Sequence, residues 1–228
     1  MRIGLIGGTS VNRSRLFASW DACLETTDYG EVAYRKKGCL VALNRHGPEG
    51  GTPPHAINFR ANIRFFEKAG VAEIISLNSV GSLDLDLPPG TLVSCSDYVS
   101  FRPATFRDRE VRPVVPGISN TLLPAIAKAC SHSIEGDKVY VQTSGPRFET
   151  RAEIRIIRGW GDVVGMTLGS EADLCAETGI GVNSVAMVDN FANGLAAESL
   201  SVELFERRVR ENQNKVDQLL GVIAELYG

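Results

Sequence analysis

Residues 145–153, Gly-Pro-Arg-Phe-Glu-Thr-Arg-Ala-Glu, place an aromatic ring beside a carboxylate where a predicted strand meets a predicted helix. Thr150 and Glu153 have the spacing of a capping box, which marks the start of the helix. Ligands of open α/β sheets bind at the carboxyl ends of strands, so Phe148 and Glu149 are expected to face a pocket. The ring could stack on a flat heterocycle while the carboxylate accepts from its N–H groups. The alternative for Glu149 is a solvated charge at the helix N-terminus.

Three further segments have the composition of an anion site. Residues 7–10 and 79–82 follow predicted strands and combine glycine with hydroxyl side chains, which leaves backbone N–H groups exposed. Residues 44–47, Asn-Arg-His-Gly, add the guanidinium of Arg45, which can bind a tetrahedral oxyanion through two hydrogen bonds. The alternatives are ordinary glycine turns, a surface charge at Arg45 and a structural histidine at His46.

Composition argues against several classes of function. The net charge is -3 and no run of lysine or arginine occurs, which argues against nucleic acid as a partner. No apolar stretch approaches about eighteen residues and no charged leader begins the chain, so a soluble, cytoplasmic protein without a membrane partner is expected. The five cysteines and three histidines lack metal-ligand spacing, so no metal is expected. A third glycine is missing after Gly7-Gly8, which argues against NAD or FAD.

The elements that position these residues alternate between β-branched runs and helical patterns. This alternation predicts one α/β domain over residues 1–228, with a mixed, largely parallel central sheet flanked by helices. The predicted strands are Arg2–Ile6, Ala72–Asn78, Val139–Ser144, Val163–Met166 and Val182–Val188. The predicted helices are Ala56–Ala69, one that opens at Thr150, Ser170–Thr178, and a long amphipathic one at the C-terminus. A surface loop is predicted over Arg102–Pro116.

Six segments occur in one order along the chain: Gly7–Thr9, Asn44–Gly47, Pro53–Asn62, Asn78–Leu83, Gly145–Glu153 and Gly165–Glu171. Together they resemble the trimeric purine nucleoside phosphorylase and methylthioadenosine phosphorylase family. The resemblance covers nearly the whole chain and is weakest at residues 11–38 and 100–135. It implies reversible phosphorolysis of a purine nucleoside to the free base and a pentose 1-phosphate, for purine salvage. It also implies a homotrimer or a multiple of trimers, with inorganic phosphate as co-substrate and no cofactor.

The resemblance also implies roles for individual residues. Phosphate is expected between Thr9, Arg45, His46, the backbone at Ser79 and the hydroxyl of Thr167, and the ribose along Met166. The base is expected between Phe148, Glu149 and Asn190. The glycosidic bond breaks through an oxocarbenium-like state, so catalysis is expected to involve Asn190, Glu149 and His46. A donor such as the Asn190 amide at the purine N7, where negative charge builds, is worth about 3 kcal/mol.

Two residues predict the type of base. Glu149 and Asn190 match family members that act on 6-oxopurines, whereas members that act on adenine nucleosides usually carry Ser and Asp at these positions. The N1–H of hypoxanthine or guanine suits the carboxylate of Glu149, whereas adenine has a bare N1 there. Inosine and guanosine are therefore the expected substrates.

The identity of the 5′ substituent is left open. Phe205 stands where inosine-guanosine enzymes place a histidine that meets the 5′-hydroxyl. Leu200 and Val202 nearby are also apolar, and this set resembles the methylthio-specific members. 5′-Methylthioinosine therefore stands beside inosine and guanosine, with 5′-methylthioadenosine phosphorolysis as an alternative. The three residues could equally be the core face of the helix. A phosphate-independent nucleosidase is the other alternative, although it would not need Arg45 and His46 at an anion site.

Overall fold

The computed structural model describes all 228 residues. The nine strands, β1 to β9 in chain order, are Arg2–Gly7, Asp21–Thr27, Gly30–Lys37, Leu40–Asn44, Val71–Ser82, Leu92–Val99, Ile134–Gln142, Val163–Gly165 and Gly181–Phe191. The helices α1 to α6 are Thr9–Arg13, Phe59–Lys68, Leu123–Ala129, Arg151–Ile157, Leu168–Thr178 and Val202–Tyr227. None of them combines the length and the apolar character that crossing a membrane requires.

One continuous sheet carries all the strands in the order β2-β3-β4-β1-β5-β8-β7-β6-β9, and β9 pairs again with β5. The last five strands in this order therefore close on themselves as a barrel, and β1 to β4 extend it on one side. The sheet contains parallel pairs such as β1–β5 and β5–β9 and antiparallel pairs such as β5–β8. The predicted α/β class with a mixed, largely parallel sheet is confirmed. The closure into a barrel was not predicted.

Helices cover both faces of this sheet. Adjacent residues of β1 divide between two apolar clusters, because successive side chains of a strand point to opposite faces. Ile6 belongs to the cluster beneath α2 and α5, and Leu5 to the one beneath α6. The terminal helix buries Val216 and Leu219 in the second cluster, which accounts for its amphipathic pattern.

Strands β5 and β9 run several residues further at their carboxyl ends than their sequence patterns indicate. The segment 79–82 was predicted to follow a strand and to expose its backbone N–H groups, with a glycine turn as the alternative. Strand β5 instead continues to Ser82, because Gly81 and Ser82 pair with both β8 and β9. Strand β9 likewise continues through Asn190 to Phe191. Residues 79–82 therefore lie in a paired strand and form no turn, and an anion contact at the Ser79 backbone stays a prediction.

The pairing of β5 with β9 contains one irregularity. Val80 pairs with Val188, whereas Gly81 pairs with Asn190, so Asp189 is an extra residue in β9. Such an insertion is a β-bulge, which bends the strand and increases its twist. The bulge lies at the carboxyl ends of the central strands, where a ligand is expected.

The helix predicted over 56–69 begins later than expected. Pro54–Ala56 form a single 3-10 turn, and α2 starts at Phe59. Asn58 caps the helix, because its side-chain oxygen accepts from the backbone N–H of Ala61. Residues 102–116 contain no helix or strand, as predicted.

Candidate active site

One cavity of about 350 Å³ opens at the carboxyl ends of the central strands. This volume falls in the usual range for small-molecule sites. The cavity is lined by ten of the residues predicted for the site: Thr9, Arg45, His46, Ser79, Phe148, Glu149, Met166, Thr167, Asn190 and Phe205. We call the part lined by the residues predicted for phosphate the phosphate end, and the part lined by those predicted for the base the base end. Leu200 and Val202 do not line it.

Arg45, which follows β4, is a buried ion-pair residue rather than a surface charge, with 3% of its surface exposed. Its Nε donates to Glu171 Oε1 at 2.7 Å, and its Nη2 donates to Glu171 Oε2 at 3.2 Å. Nη1 and Nη2 also donate to the carbonyls of Leu77 and Ile6, at 2.9 and 3.1 Å. The Glu171 side chain is fully buried in the first turn of α5, so the two charges compensate each other inside the protein.

The guanidinium therefore has little bonding capacity left for a ligand. Of the five N–H groups of an arginine, only the second hydrogen of Nη1 remains free of these bonds. Nη1 lies 3.1 Å from the position that a Cβ on Gly8 would occupy, and both residues line the cavity. Glu171 and backbone carbonyls thus take four of the five N–H donors of Arg45, and an oxyanion contact at Arg45 stays a prediction with one donor available for it.

His46 presents a ring nitrogen to the same point. Its Nδ1 lies 2.7 Å from the carbonyl oxygen of Thr52, so Nδ1 carries a proton and donates to that oxygen. Its Nε2 lies 3.1 Å from the position of a Cβ on Gly8. Burial, with a smaller contribution from the Arg45 charge, lowers the pKa of His46. The neutral ring therefore offers a lone pair at Nε2.

Thr167 supplies a hydroxyl donor from the start of α5. Its Oγ1 accepts from Asn78 Nδ2 at 2.9 Å, which leaves its own hydrogen free to donate. Its backbone N–H donates to the hydroxyl of Tyr140 at 3.0 Å, and burial raises the pKa of Tyr140 to about 12, so this group remains a phenol. Residue 165 must be glycine here, because a Cβ would lie 2.2 Å from the Tyr140 oxygen.

Ser79 contributes through its backbone. Its hydroxyl donates to Asp189 and is therefore committed. The carbonyl of Leu77 accepts from Arg45 and therefore points toward the β1 side of the strand. Residues two positions apart on a strand point their backbone N–H and C=O groups to the same side, so the N–H of Ser79 also points to the β1 side. Strand β1 ends at Gly7, opposite Leu77, so the N–H of Ser79 points beyond the end of β1 into the cavity. Thr9 is exposed at the first position of α1, on the rim.

The base end holds one carboxylate and one amide. Glu149 is 7% exposed, and its Oε1 accepts from the hydroxyl of Thr143 at 2.6 Å, so Oε2 remains for a ligand. Asn193 Nδ2 donates to the Glu149 carbonyl at 3.0 Å and fixes its backbone. Asn190 Nδ2 uses one hydrogen on the Phe191 carbonyl at 2.8 Å and keeps the other.

An aromatic pair closes the side of the cavity. The ring centroids of Phe148 and Phe205 lie 5.5 Å apart at an interplanar angle of 65°, an edge-to-face arrangement. Phe205, in the first turn of α6, thus contacts the ring predicted to bind the base.

The other two residues predicted for the 5′ pocket lie elsewhere. Val202 is the first residue of α6 and is 58% exposed. Leu200 precedes the helix and lines a separate cavity of about 120 Å³ with Leu204. Apolar residues from other elements line the main cavity with Phe205, among them Val11, Met187 and Val216.

The residues that support the site were not assigned roles from the sequence. Glu171 stands within a segment noted for its resemblance, and an acid in the first turn of a helix was its only signal. Asp189 is fully buried and accepts from Ser79 and from Asn212 Nδ2, the latter at 2.8 Å. Burial raises the pKa of Asp189. This carboxylate joins β5, β9 and α6 behind the cavity.

Comparisons with known proteins show the family of this chain. The phosphorylase superfamily model matches residues 2–224. A probable S-methyl-5′-thioinosine phosphorylase from Methanocaldococcus jannaschii is 37% identical in an alignment that covers 94% of this chain and 88% of that protein. A 6-oxopurine nucleoside phosphorylase from Pyrococcus furiosus is 35% identical, over 97% of this chain and 92% of that protein.

A solved structure is similar in fold. Methylthioadenosine phosphorylase from Schistosoma mansoni, in complex with adenine, superposes with a TM-score of 0.84 over 99% of this chain and 91% of that one. Its sequence identity is 24%, so it supports the architecture and nothing about substrate.

Proposed function

The chain belongs to the phosphorylase superfamily and is an enzyme of purine nucleoside phosphorolysis, and we propose that it acts on 6-oxopurine nucleosides, with 5′-methylthioinosine preferred. The observation that carries this proposal is that one cavity is lined both by residues predicted to bind phosphate and by residues predicted to bind the base. Arg45 and His46, beside Gly8, belong to the first set, and Phe148 and Glu149 belong to the second.

The phosphate end has donors suited to an oxyanion. They are the free N–H of Arg45, the hydroxyl of Thr167 and the backbone N–H of Ser79. Phosphate held here stabilises the positive charge that develops on the sugar, and then attacks the anomeric carbon as the glycosidic bond breaks. Because the donors are fixed before the reaction by bonds within the protein, little reorganisation is needed as charge develops.

The base end favours a 6-oxopurine. Glu149 Oε2 is a carboxylate oxygen without a protein partner, and the N1–H of hypoxanthine or guanine is a matching donor. The second N–H of Asn190 can donate to N7 as the base leaves with negative charge. Adenine would place the lone pair of N1 against the carboxylate, which penalises its nucleosides.

The 5′ position favours an apolar group. Phe205 lies beside Phe148 and offers neither a donor nor an acceptor to a 5′-hydroxyl. A hydroxyl buried there without a partner costs about 1–3 kcal/mol, whereas a methylthio group gains from leaving water. This supports 5′-methylthioinosine over inosine by about tenfold or more in kcat/KM. Relatives of this chain carry both substrate names.

The deciding experiment is a substrate panel of inosine, guanosine, adenosine, 5′-methylthioinosine and 5′-methylthioadenosine, each assayed with and without inorganic phosphate. We expect phosphate-dependent release of hypoxanthine or guanine, with a sugar 1-phosphate as the second product. Equal rates without phosphate, with a free sugar as product, would identify a nucleosidase. Faster cleavage of 5′-methylthioadenosine than of 5′-methylthioinosine would contradict the assignment of Glu149 and Asn190.

The assembly is proposed to be a homotrimer or a multiple of trimers. Phe101 and Trp160 are 69% and 44% exposed and contact each other at 5.1 Å between ring centroids, which supports a covered apolar surface in the assembly. Light scattering measures the mass directly, and an active monomer would contradict this. The five unpaired cysteines are consistent with a reducing, cytoplasmic location. Inorganic phosphate is proposed as the only co-substrate, without a cofactor.

A further inference from the structure

We infer that Asp189 is a positioning residue that holds Asn190 and Phe205 in place around the cavity. Its carboxyl group joins Ser79 of β5 to Asn212 of α6, and it does not line the cavity itself. The inference rests on the proposed function, because the nucleoside is the molecule that Asn190 and Phe205 would meet. It goes beyond that function by making the choice of 5′ group depend on a residue that touches no substrate.

The first part of the argument is the bulge in β9, of which Asp189 is the extra residue. An extra residue has no partner in the strand pairing, so its position depends on other bonds. The side chain of Asp189 is fully buried and accepts two of them, from the Ser79 hydroxyl at Oδ2 and from Asn212 Nδ2 at Oδ1, the latter at 2.8 Å. A buried carboxyl group without hydrogen bonds costs free energy, so these two donors fix where the bulge lies. Asn190 is the next residue and takes its place at the base end from the bulge.

The second part of the argument is the face that α6 turns toward the barrel. Four residues at intervals of three or four lie on this face: Phe205, Val209, Asn212 and Val216. Asn212 is its polar member, and it lies two turns, about 10 Å, after Phe205. Apolar contacts are non-directional and let a helix rotate or slide, whereas a hydrogen bond has a defined direction. The bond from Asn212 to Asp189 therefore sets the place of α6, as a single polar residue sets the register of an apolar helix pair.

The other polar contacts of α6 end on other parts of the fold. Gln213 Nε2 donates to the carbonyl of Ser10 at 3.0 Å, and Lys215 Nζ donates to the carbonyl of Gly90 at 2.5 Å. Asn212 is the only residue of α6 whose side chain bonds to β5 or β9. Loss of this bond should therefore change the place of Phe205 relative to the strands that carry the rest of the cavity.

The measurement that separates positioning from a merely structural role is a ratio. We use the ratio of kcat/KM for 5′-methylthioinosine to kcat/KM for inosine, which we call the 5′ ratio. A residue that only stabilises the fold changes the amount of active protein, and this change cancels in the ratio. A residue that positions Phe205 changes the 5′ ratio itself.

The first test compares Asp189→Ala with Asp189→Asn. Asp189→Ala leaves two donors without an acceptor, so kcat/KM for inosine should fall by about tenfold or more and the 5′ ratio should fall as well. Asp189→Asn should rescue both, because its amide oxygen can accept from Asn212 while its amide nitrogen donates to the rotated hydroxyl of Ser79. A wild-type 5′ ratio in Asp189→Ala, or an Asp189→Asn protein that behaves like Asp189→Ala, overturns the inference.

The second test exchanges the two partners. Asn212→Asp alone sets two carboxyl groups against each other and should lower the 5′ ratio as Asp189→Ala does. In the double variant Asp189→Asn with Asn212→Asp, the amide at position 189 can donate to the carboxylate at position 212 and accept from Ser79. The 5′ ratio should then return to within about threefold of the wild type, since residues in contact are not additive. A double variant no better than Asn212→Asp alone overturns the inference.

Ser94→Ala is the matched control. Ser94 is fully buried on β6, which pairs with β9, and its hydroxyl has no hydrogen-bond partner. The variant should keep the wild-type 5′ ratio, and an equal fall there would overturn the assignment to Asp189. Thermal unfolding checks that each variant is folded. If Asp189→Ala does not fold, the exchange decides, because Asn212 is only partly buried.

These outcomes differ from a failure of the proposed function. If cleavage does not depend on phosphate, phosphorolysis is wrong, and the 5′ ratio of the cleavage rates still reports on Asp189. If the wild type prefers inosine, the proposed 5′ preference is wrong. In that case Asp189→Ala should still change the 5′ ratio and the exchange should still restore it, and a ratio that never changes overturns the inference alone.

Discussion

The substitution Gly8→Ala adds one carbon atom to the space beside Gly8 and so tests whether phosphate binds there. An added Cβ would lie 3.1 Å from both Arg45 Nη1 and His46 Nε2. An oxygen bonded to both atoms would lie at nearly the same point, since such bonds measure about 2.8–3.0 Å. The φ of Gly8 is -114°, outside the region that favours glycine, so the effect should come from the occupied space.

The expected loss follows from the two contacts. A hydrogen bond to a charged donor contributes about 1.5–3 kcal/mol and a neutral one about 0.5–1.5 kcal/mol, so both together contribute about 2–4.5 kcal/mol. The kcat/KM for phosphate should therefore fall roughly 30-fold to 2,000-fold, since each 1.36 kcal/mol is about tenfold. The KM for the nucleoside should change little, because the base end is untouched. Initial rates at varied phosphate and saturating inosine measure this split.

Gly51→Ala is the matched control. Gly51 also lines the cavity, but nothing lies within 4 Å of an added Cβ there. It should keep the wild-type kcat/KM for phosphate, and thermal unfolding of both variants checks that the fold is intact. The reasoning is refuted if Gly8→Ala retains the wild-type value, or if Gly51→Ala loses as much.

Three other predictions concern the base, the 5′ group and pH. Glu149→Ser with Asn190→Asp should raise the ratio of kcat/KM for adenosine to that for inosine, by about tenfold or more from the lost charged contact, and an unchanged ratio would contradict the assignment. Phe205→His should lower the ratio of kcat/KM for 5′-methylthioinosine to that for inosine by about tenfold. Val202→His, at an exposed position, should leave this ratio unchanged, and equal effects of the two substitutions would place both residues outside the pocket. Because the pKa of His46 is lower in the folded chain, the unfolded chain binds a proton at His46 more readily than the folded chain does. The contribution of His46 to the free energy of unfolding is therefore fully present above the pKa of the unfolded chain and is lost as the pH falls through the lowered pKa of the folded chain. Urea unfolding at neutral and acidic pH should show this loss in the wild type and a smaller one in His46→Gln, and equal losses would contradict it.

The alternation of strands and helices, and the segments that carry the site, could be predicted because each depends on local pattern. The capping box of Thr150 and Glu153 is an example, since its geometry needs only four consecutive residues, and the structure has it. The α6 helix was likewise predictable from its apolar spacing.

The contacts that tune the site could not be predicted, because they join distant parts of the chain. Glu171 is 126 positions from Arg45, and nothing in either local segment indicates that they pair. The ends of β5 and β9 were misplaced because Ser79 and Asn190 are polar, and only pairing with neighbouring strands keeps them extended. The 5′ pocket was partly wrong because helical spacing alone cannot tell the exposed Val202 from Phe205.

Because β9 contains an extra residue, the side chain that lies opposite Gly81 can change by a deletion, without any substitution. Chain length between the pairs Val80–Val188 and Gly81–Asn190 decides which side chain stands opposite Gly81. In-frame loss of the Asn190 codon would remove the bulge and set Asp189 there, while every other register of the barrel stays as it is. The amide at the base would become a carboxylate, the residue that adenine-specific members of the resembling family usually carry. The bulge thus places a change in one of the two base-selective groups one codon deletion away, with Glu149 unchanged.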